Sequence, residues 1–140
     1  KDLIVLSNGK NVAPQAVERA LKASPYIAEV ALFGDRSPVV VGLVVPDFEQ
    51  VKAWAKQHSL RFAGSAEIAA NPEVRRLIKA AIDAHSTGLA DFERVRRFAI
   101  LDRDFSLEKG ELTPTLKLKR RVIAEHFADR LRELYRSEKD

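Results

Sequence analysis

The stretch Ile27-Ala28-Glu29-Val30-Ala31-Leu32-Phe33-Gly34-Asp35-Arg36-Ser37-Pro38-Val39-Val40-Val41-Gly42-Leu43-Val44-Val45 decides the architecture. A mostly apolar run, a cluster of turn-forming residues and a second run that is apolar at nearly every position follow one another. Apolar residues without polar alternation belong to a strand covered on both faces. Val39–Val45 is therefore expected at the centre of a sheet, with Ile27–Phe33 beside it as a hairpin across the Gly34–Pro38 turn.

Upstream, Leu3–Leu6 is a short strand that ends in Ser7-Asn8-Gly9, residues that tolerate a turn. Pro14 then suits a first helical position, where its missing N–H goes unmissed. Val17, Ala20 and Leu21 form the apolar stripe of that helix, with Glu18, Arg19 and Lys22 outside it. Downstream, Pro46-Asp47 closes the sheet segment and Asp47 is placed to cap a helix with Val51, Trp54 and Ala55 on its apolar face. After a polar stretch, Asn71-Pro72 opens another helix, with Val74, Leu77, Ile78, Ala81 and Ile82 at helical spacing and Gly88 as its end. Val95–Leu101 is a fourth strand, Phe105–Leu112 a loop, and Arg120–Tyr135 a last amphipathic helix. Interleaved helices and strands with a hairpin give an α+β class: a small mixed β-sheet packed by helices.

At 140 residues the chain is one domain's length, and 46% hydrophobic with 31% charged residues is a globular composition. Its apolar runs are too short to cross a membrane. Cysteine is absent, which excludes disulfides, thiolate zinc sites and a thiol nucleophile. Methionine is absent as well, and the chain opens abruptly, with Lys1-Asp2 running straight into Leu3-Ile4-Val5-Leu6. The expectation is a piece of a longer protein without a targeting segment.

The charge balance is 24 basic against 20 acidic residues, a mild excess that permits a polyanionic partner without arguing for one. His58, His85 and His126 lack metal-ligand spacing and are expected to face solvent; no metal site is expected. Two segments stand apart. Ser7-Asn8-Gly9-Lys10-Asn11 is a Gly-containing turn with a cation: by spacing a plain tight connection first, or one that presents N–H groups to an anion or admits a narrow ligand beside the backbone. It lacks the spacing of a P-loop. Gly110–Arg121 gathers Lys117, Lys119, Arg120 and Arg121 just before a helix, where cations oppose the macrodipole; a compensating anionic ligand and a plainly solvated basic helix start are both open readings. Aromatic interleaving of the kind that binds single-stranded nucleic acid is missing there.

Lys1-Asp2-Leu3-Ile4-Val5-Leu6-Ser7-Asn8-Gly9-Lys10-Asn11-Val12-Ala13-Pro14, followed by Val17-Glu18, resembles the opening of the C-terminal domain of adenylate-forming enzymes. Phe105-Ser106-Leu107-Glu108-Lys109-Gly110-Glu111-Leu112-Thr113-Pro114-Thr115-Leu116-Lys117-Leu118-Lys119-Arg120 resembles the last motif of their long-chain fatty acyl-CoA synthetase branch. The resemblance implies that residues 1–140 are the mobile C-terminal domain of an AMP-forming fatty acid–CoA ligase, with a large N-terminal domain as partner outside this chain. ATP, coenzyme A, Mg2+ and a fatty acid would serve the whole enzyme, and none would bind this piece tightly. The resemblance also implies a cytoplasmic location, with membrane association only as a peripheral protein at the inner face.

By the same resemblance Lys117 matches the catalytic lysine of adenylation, although Leu116 stands where most of the superfamily has Gly, and Lys119 lies close enough to compete in the alignment. Lys119, Arg120 and Arg121 become candidate phosphate contacts. Lys1 and Asp2 match the hinge. Asn8, Gly9, Lys10 and Asn11 match the loop that flanks the CoA tunnel, with Asn8 and Gly9 competing for the family's Gly position. The alternative reading is a stand-alone basic module for nucleic acid or an acidic partner; the ligase reading implies no nucleic acid.

Overall fold

The central strand expected from the apolar run sits where it should in a computed structural model that describes residues 2–136. Strand β4 (Val40–Pro46) is buried along its whole length. It lies between β3 (Ile27–Phe33), antiparallel to it, and β5 (Val95–Ile100), parallel to it. Its alternating side chains feed two cores. Val40 and Val44 join the apolar faces of α1 (Pro14–Leu21), α2 (Phe48–Gln57), α3 (Ser65–Ala70) and α4 (Pro72–Ala84). Val41, Leu43 and Val45 join Phe105, Ile123 and Leu131 on the other face. A parallel neighbour requires a long crossover, and α2, α3 and α4 provide it between β4 and β5.

The helix starts follow local chemistry. Pro14 occupies the first turn of α1. Asp47 Oδ1 accepts from Gln50 N at 3.1 Å at the start of α2. Asn71 Oδ1 accepts from Glu73 N at 2.8 Å and Val74 N at 3.1 Å at the start of α4. Each such cap is worth about 1 kcal/mol.

Four expectations change. Leu3–Leu6 is reduced to β1 (Ile4–Val5), which pairs antiparallel with an unexpected β2 (Asn11–Val12). The polar stretch before Asn71 contains α3, held by the buried Ile68 and by Glu67 Oε1, which accepts from Ala63 N at 2.7 Å. Helix α4 ends at Ala84 rather than at Gly88, because the chain turns at His85 and the buried Ser86 hydroxyl donates to the Ile82 carbonyl. The last helix is two: α5 (Arg120–His126) and α6 (Ala128–Arg136), broken at Phe127. The break seats the Phe127 ring edge-on to Phe105, 6.1 Å between centroids, while Ile123 and Leu131 both reach the second core. No helix among the described residues is long and apolar enough to cross a membrane.

Candidate functional site

The basic segment folds as a small hairpin outside the main sheet. Leu112 and Leu118 form an antiparallel bridge, and Lys119 N donates to the Glu111 carbonyl at 2.8 Å. Nearer the tip, Thr113 N donates to the Lys117 carbonyl at 2.8 Å and Lys117 N donates to Thr113 Oγ1 at 3.0 Å. Leu116 N closes the turn on the Thr113 carbonyl at 2.7 Å. The backbone of Lys117 is thus held on both its polar groups. Its side chain is exposed, and its ammonium has no hydrogen-bond or ion-pair partner among the described residues. Lys119 and Arg121 are exposed in the same way.

The tip is costly in two ways. Leu116 has φ +66° and its side chain is 64% exposed. An L-residue in left-handed backbone loses about 1–2 kcal/mol, and the isobutyl group gains little from burial. Thr113 and Lys117 impose this geometry by closing the turn around Leu116.

The base of the hairpin is fixed by a buried carboxylate. Gly110, at φ +78°, reverses the chain so that the Glu111 side chain enters the interior, where it is fully buried. Its oxygens accept from Arg103 Nη1 at 2.9 Å, Arg103 Nη2 at 2.8 Å and Ser106 N at 2.8 Å, and meet His126 Nδ1 at 2.7 Å. The Arg103 guanidinium, ahead of the other donors, holds the Glu111 carboxyl down at about 2, against an ordinary value near 4.5 and against the opposing effect of burial. Glu111 in turn holds the Arg103 guanidinium above its ordinary value. Arg103 also lies over the Phe127 ring at 4.8 Å. Removing one partner from a buried pair costs about 3–5 kcal/mol, and the low end applies here because Arg103 keeps a third of its surface wet.

A second ionic group joins the hairpin to the start of the chain. Arg120, the first residue of α5, donates from Nη1 to Asp2 Oδ2 at 2.6 Å and from Nη2 to Glu18 Oε1. Glu18 Oε2 accepts from Leu32 N at 2.9 Å. Burial pushes the Glu18 carboxyl above the usual carboxylate range, with Arg120 opposing it. Arg120 Nε is buried with no acceptor among the described residues. For Arg120 at this helix start, the compensating anions are internal: Asp2 and Glu18.

The Asn8–Asn11 turn has a different construction. Gly9 has φ +86°, with open space where a Cβ would lie. Gly9 N donates to the Leu6 carbonyl at 2.8 Å and Leu6 N to the Lys10 carbonyl at 2.9 Å. Asn8 Oδ1 accepts from Lys10 N at 2.9 Å, Asn11 lies in β2, and Lys10 Nζ stands 5.2 Å from the centre of the Phe92 ring. Gly9, not Asn8, takes the left-handed backbone. Lys1 lies outside the described residues.

Two residues escaped the pattern reading. Glu18, placed outside the α1 stripe, is buried. Glu111 carries no spacing signal; its side-chain partners are eight residues before it and fifteen after. His126 is exposed as expected, and its Nδ1 also meets the Glu111 carboxylate. His58 is exposed and stacks on Trp54. Among the described residues no group of three or more His, Cys, Asp or Glu side chains could hold a metal ion.

A family model for the AMP-binding enzyme C-terminal domain matches residues 1–139. The long-chain-fatty-acid–CoA ligase FadD15 of Mycobacterium tuberculosis is 38% identical over 140 residues, covering 99% of this chain and 23% of that protein. Human long-chain-fatty-acid–CoA ligase 6 is 33% identical over 138 residues, covering 96% and 20%. The chain thus spans about a quarter or less of the length of these relatives. Among solved structures, the adenylation domain of a carboxylate reductase from Mycobacterium chelonae superposes with a TM-score of 0.76 at 26% identity, over 96% of this chain and 19% of that one.

Proposed function

We infer the function from one premise: the chain belongs to the AMP-binding enzyme C-terminal domain family. It serves as the mobile domain of an AMP-forming long-chain fatty acid–CoA ligase, working against a larger ATP- and acyl-binding domain outside this chain. In the first step a carboxylate oxygen of the fatty acid attacks the α-phosphorus of ATP, and the bond to pyrophosphate breaks. In the second the CoA thiol attacks the acyl carbonyl of the adenylate, and AMP leaves.

The observation that carries this reading is Lys117. It is an exposed ammonium without a partner among the described residues, on a residue whose N–H and carbonyl are both pinned to Thr113. A cation held this way is prepaid in orientation for the negative charge that gathers between carboxylate and α-phosphate. Lys119 and Arg121 are free to meet phosphate oxygens, whereas Arg120 is committed to Glu18 and Asp2 and acts as a brace. Asn8, Gly9, Lys10 and Asn11 flank the pantetheine path in the second step, with Gly9 leaving the backbone bare. Lys1 and Asp2 form the hinge. Mg2+ belongs with ATP in the larger domain, and this chain alone is inactive and binds ATP weakly.

In the intact ligase, Lys117→Ala lowers adenylate formation by about 10²–10³-fold, followed as acid-dependent exchange of pyrophosphate into ATP, and spares thioester formation from supplied acyl-adenylate. Equal loss of both half-reactions would defeat the assignment. Lys1→Pro does the reverse, because a locked φ hinders rotation at the hinge. The basic-module alternative is weakened by the internal pairing of Arg120.

A further inference from the structure

The feature left without a purpose is Leu116. It sits next to Lys117, in left-handed backbone at φ +66°, with an apolar side chain 64% exposed. Both properties count against it in this chain. A glycine there would remove the backbone penalty and the exposed apolar surface together. No turn hydrogen bond uses the side chain, since Leu116 takes part through its N–H. The neighbours Pro114 and Thr115 are also exposed and uncharged, so the tip is apolar or neutral up to the ammonium of Lys117. Among the described residues nothing covers the greater part of this leucine, and the backbone penalty at its position goes uncompensated there.

We propose that Leu116 is a positioning residue for adenylation: its isobutyl group seats on an apolar wall of the ligase's larger domain and sets how deeply Lys117 enters the site. This rests on the ligase reading above. The occupant is protein rather than the fatty acid, because a contact that fixes Lys117 must be present whichever acid is bound. Two consecutive residues then divide the work, one docking and one bearing charge, on a turn whose backbone cannot pivot between them because Thr113 closes it on both sides.

The test uses Leu116→Gly, Leu116→Asn and Leu116→Met. Glycine and asparagine both accept left-handed backbone, so in this chain the first two melt at or above the wild-type temperature. In the intact ligase they lower the adenylation kcat about tenfold or more, a barrier increase of about 1.4 kcal/mol. They leave thioester formation from supplied acyl-adenylate unchanged, and Leu116→Met restores adenylation. Hexanoate and palmitate suffer the same loss.

Wild-type adenylation in Leu116→Gly overturns the inference. So does a lower melting temperature with both half-reactions reduced alike, which marks a structural role. A loss that grows from hexanoate to palmitate moves the contact to the acyl chain and overturns the assignment to protein. Lys117→Ala is assayed in parallel: if adenylation survives it, the ligase role of the hairpin fails and this inference with it. If adenylation is lost in Lys117→Ala but kept in Leu116→Gly, only the inference about Leu116 fails.

Discussion

The hairpin at Glu111–Lys119 and the turn at Leu6–Lys10 are both tight reversals, and both place a residue at positive φ beside a lysine. Their anchors differ. The first is rooted in a buried carboxylate with bidentate Arg103, and it tolerates a leucine in left-handed backbone. The second is held by backbone hydrogen bonds and the Asn8 side chain, with glycine where the backbone turns left-handed. A tip that must deliver a charge to a fixed point benefits from an ionic root, because the low dielectric around Glu111 makes its pairing with Arg103 stiff. A turn that must leave room for a thin ligand benefits from having no side chain. The contrast is therefore between rigidity made with charge and clearance made with glycine.

That contrast orders the expected effects. Lys117→Ala in the intact ligase is the largest, lowering adenylation by about 10²–10³-fold, the usual scale for removing one group that stabilises transition-state charge. Pyrophosphate exchange measures it, and the thioester step from acyl-adenylate stays near wild type.

Glu111→Gln comes next, and it acts on stability. It leaves Arg103 without its carboxylate, costs about 3 kcal/mol and lowers the melting temperature by roughly 10 °C. Its pH dependence is more telling. Folding lowers the Glu111 value to about 2 from near 4.5, so this carboxylate's contribution is complete above 4.5 and is lost as pH falls from there toward 2. The substitution should flatten the acid limb of the stability curve in that window, as read by urea unfolding at a series of pH values. Glu18 runs the other way: burial raises its value, so its contribution is present at low pH and is lost as pH rises through that raised value. An unaltered acid limb in Glu111→Gln would show that the root of the hairpin is not ionic.

Gly9→Ala is smaller in stability, about 1 kcal/mol, since the φ of +86° is the obstacle and the space around it is open. Gly9→Asn costs less, because asparagine tolerates that backbone. In the ligase both slow thioester formation and spare adenylation, opposite to Lys117→Ala. Lys10→Met is the least, about 0.5–1 kcal/mol for the lost approach to the Phe92 ring, measured by thermal melting.

Much of the framework was legible because it is local. A run of valines buried on both faces needs no partner to be recognised, and β3, β4 and β5 fall within a residue of the expected ranges. The caps Asp47 and Asn71 act within three residues of themselves. The motif around Lys117 was visible as a resemblance, and its exposed position agrees with a loop rich in Thr and Pro. The failures are non-local. Helix α3 is secured by the burial of Ile68 and not by its own periodicity. The break at Phe127 depends on where the Phe105 ring lies.

From the sequence alone follow the buried central strand with its hairpin partner, the helices opened by Pro14, Asp47 and Asn71, the turn at Asn8-Gly9 and the family likeness of both ends. Period-two and period-3.6 burial and the φ preferences of Gly, Pro and Asn act over a few residues, so they are written in the order of the letters. Which charges are free and which are spent emerges only when the chain is folded. Arg120 and Lys117 look alike in a basic run, yet one is closed in by Glu18 and Asp2, more than a hundred residues away in sequence, and the other is left open. Charge pairing at such separation depends on burial and distance in space, and neither is carried by any spacing along the chain.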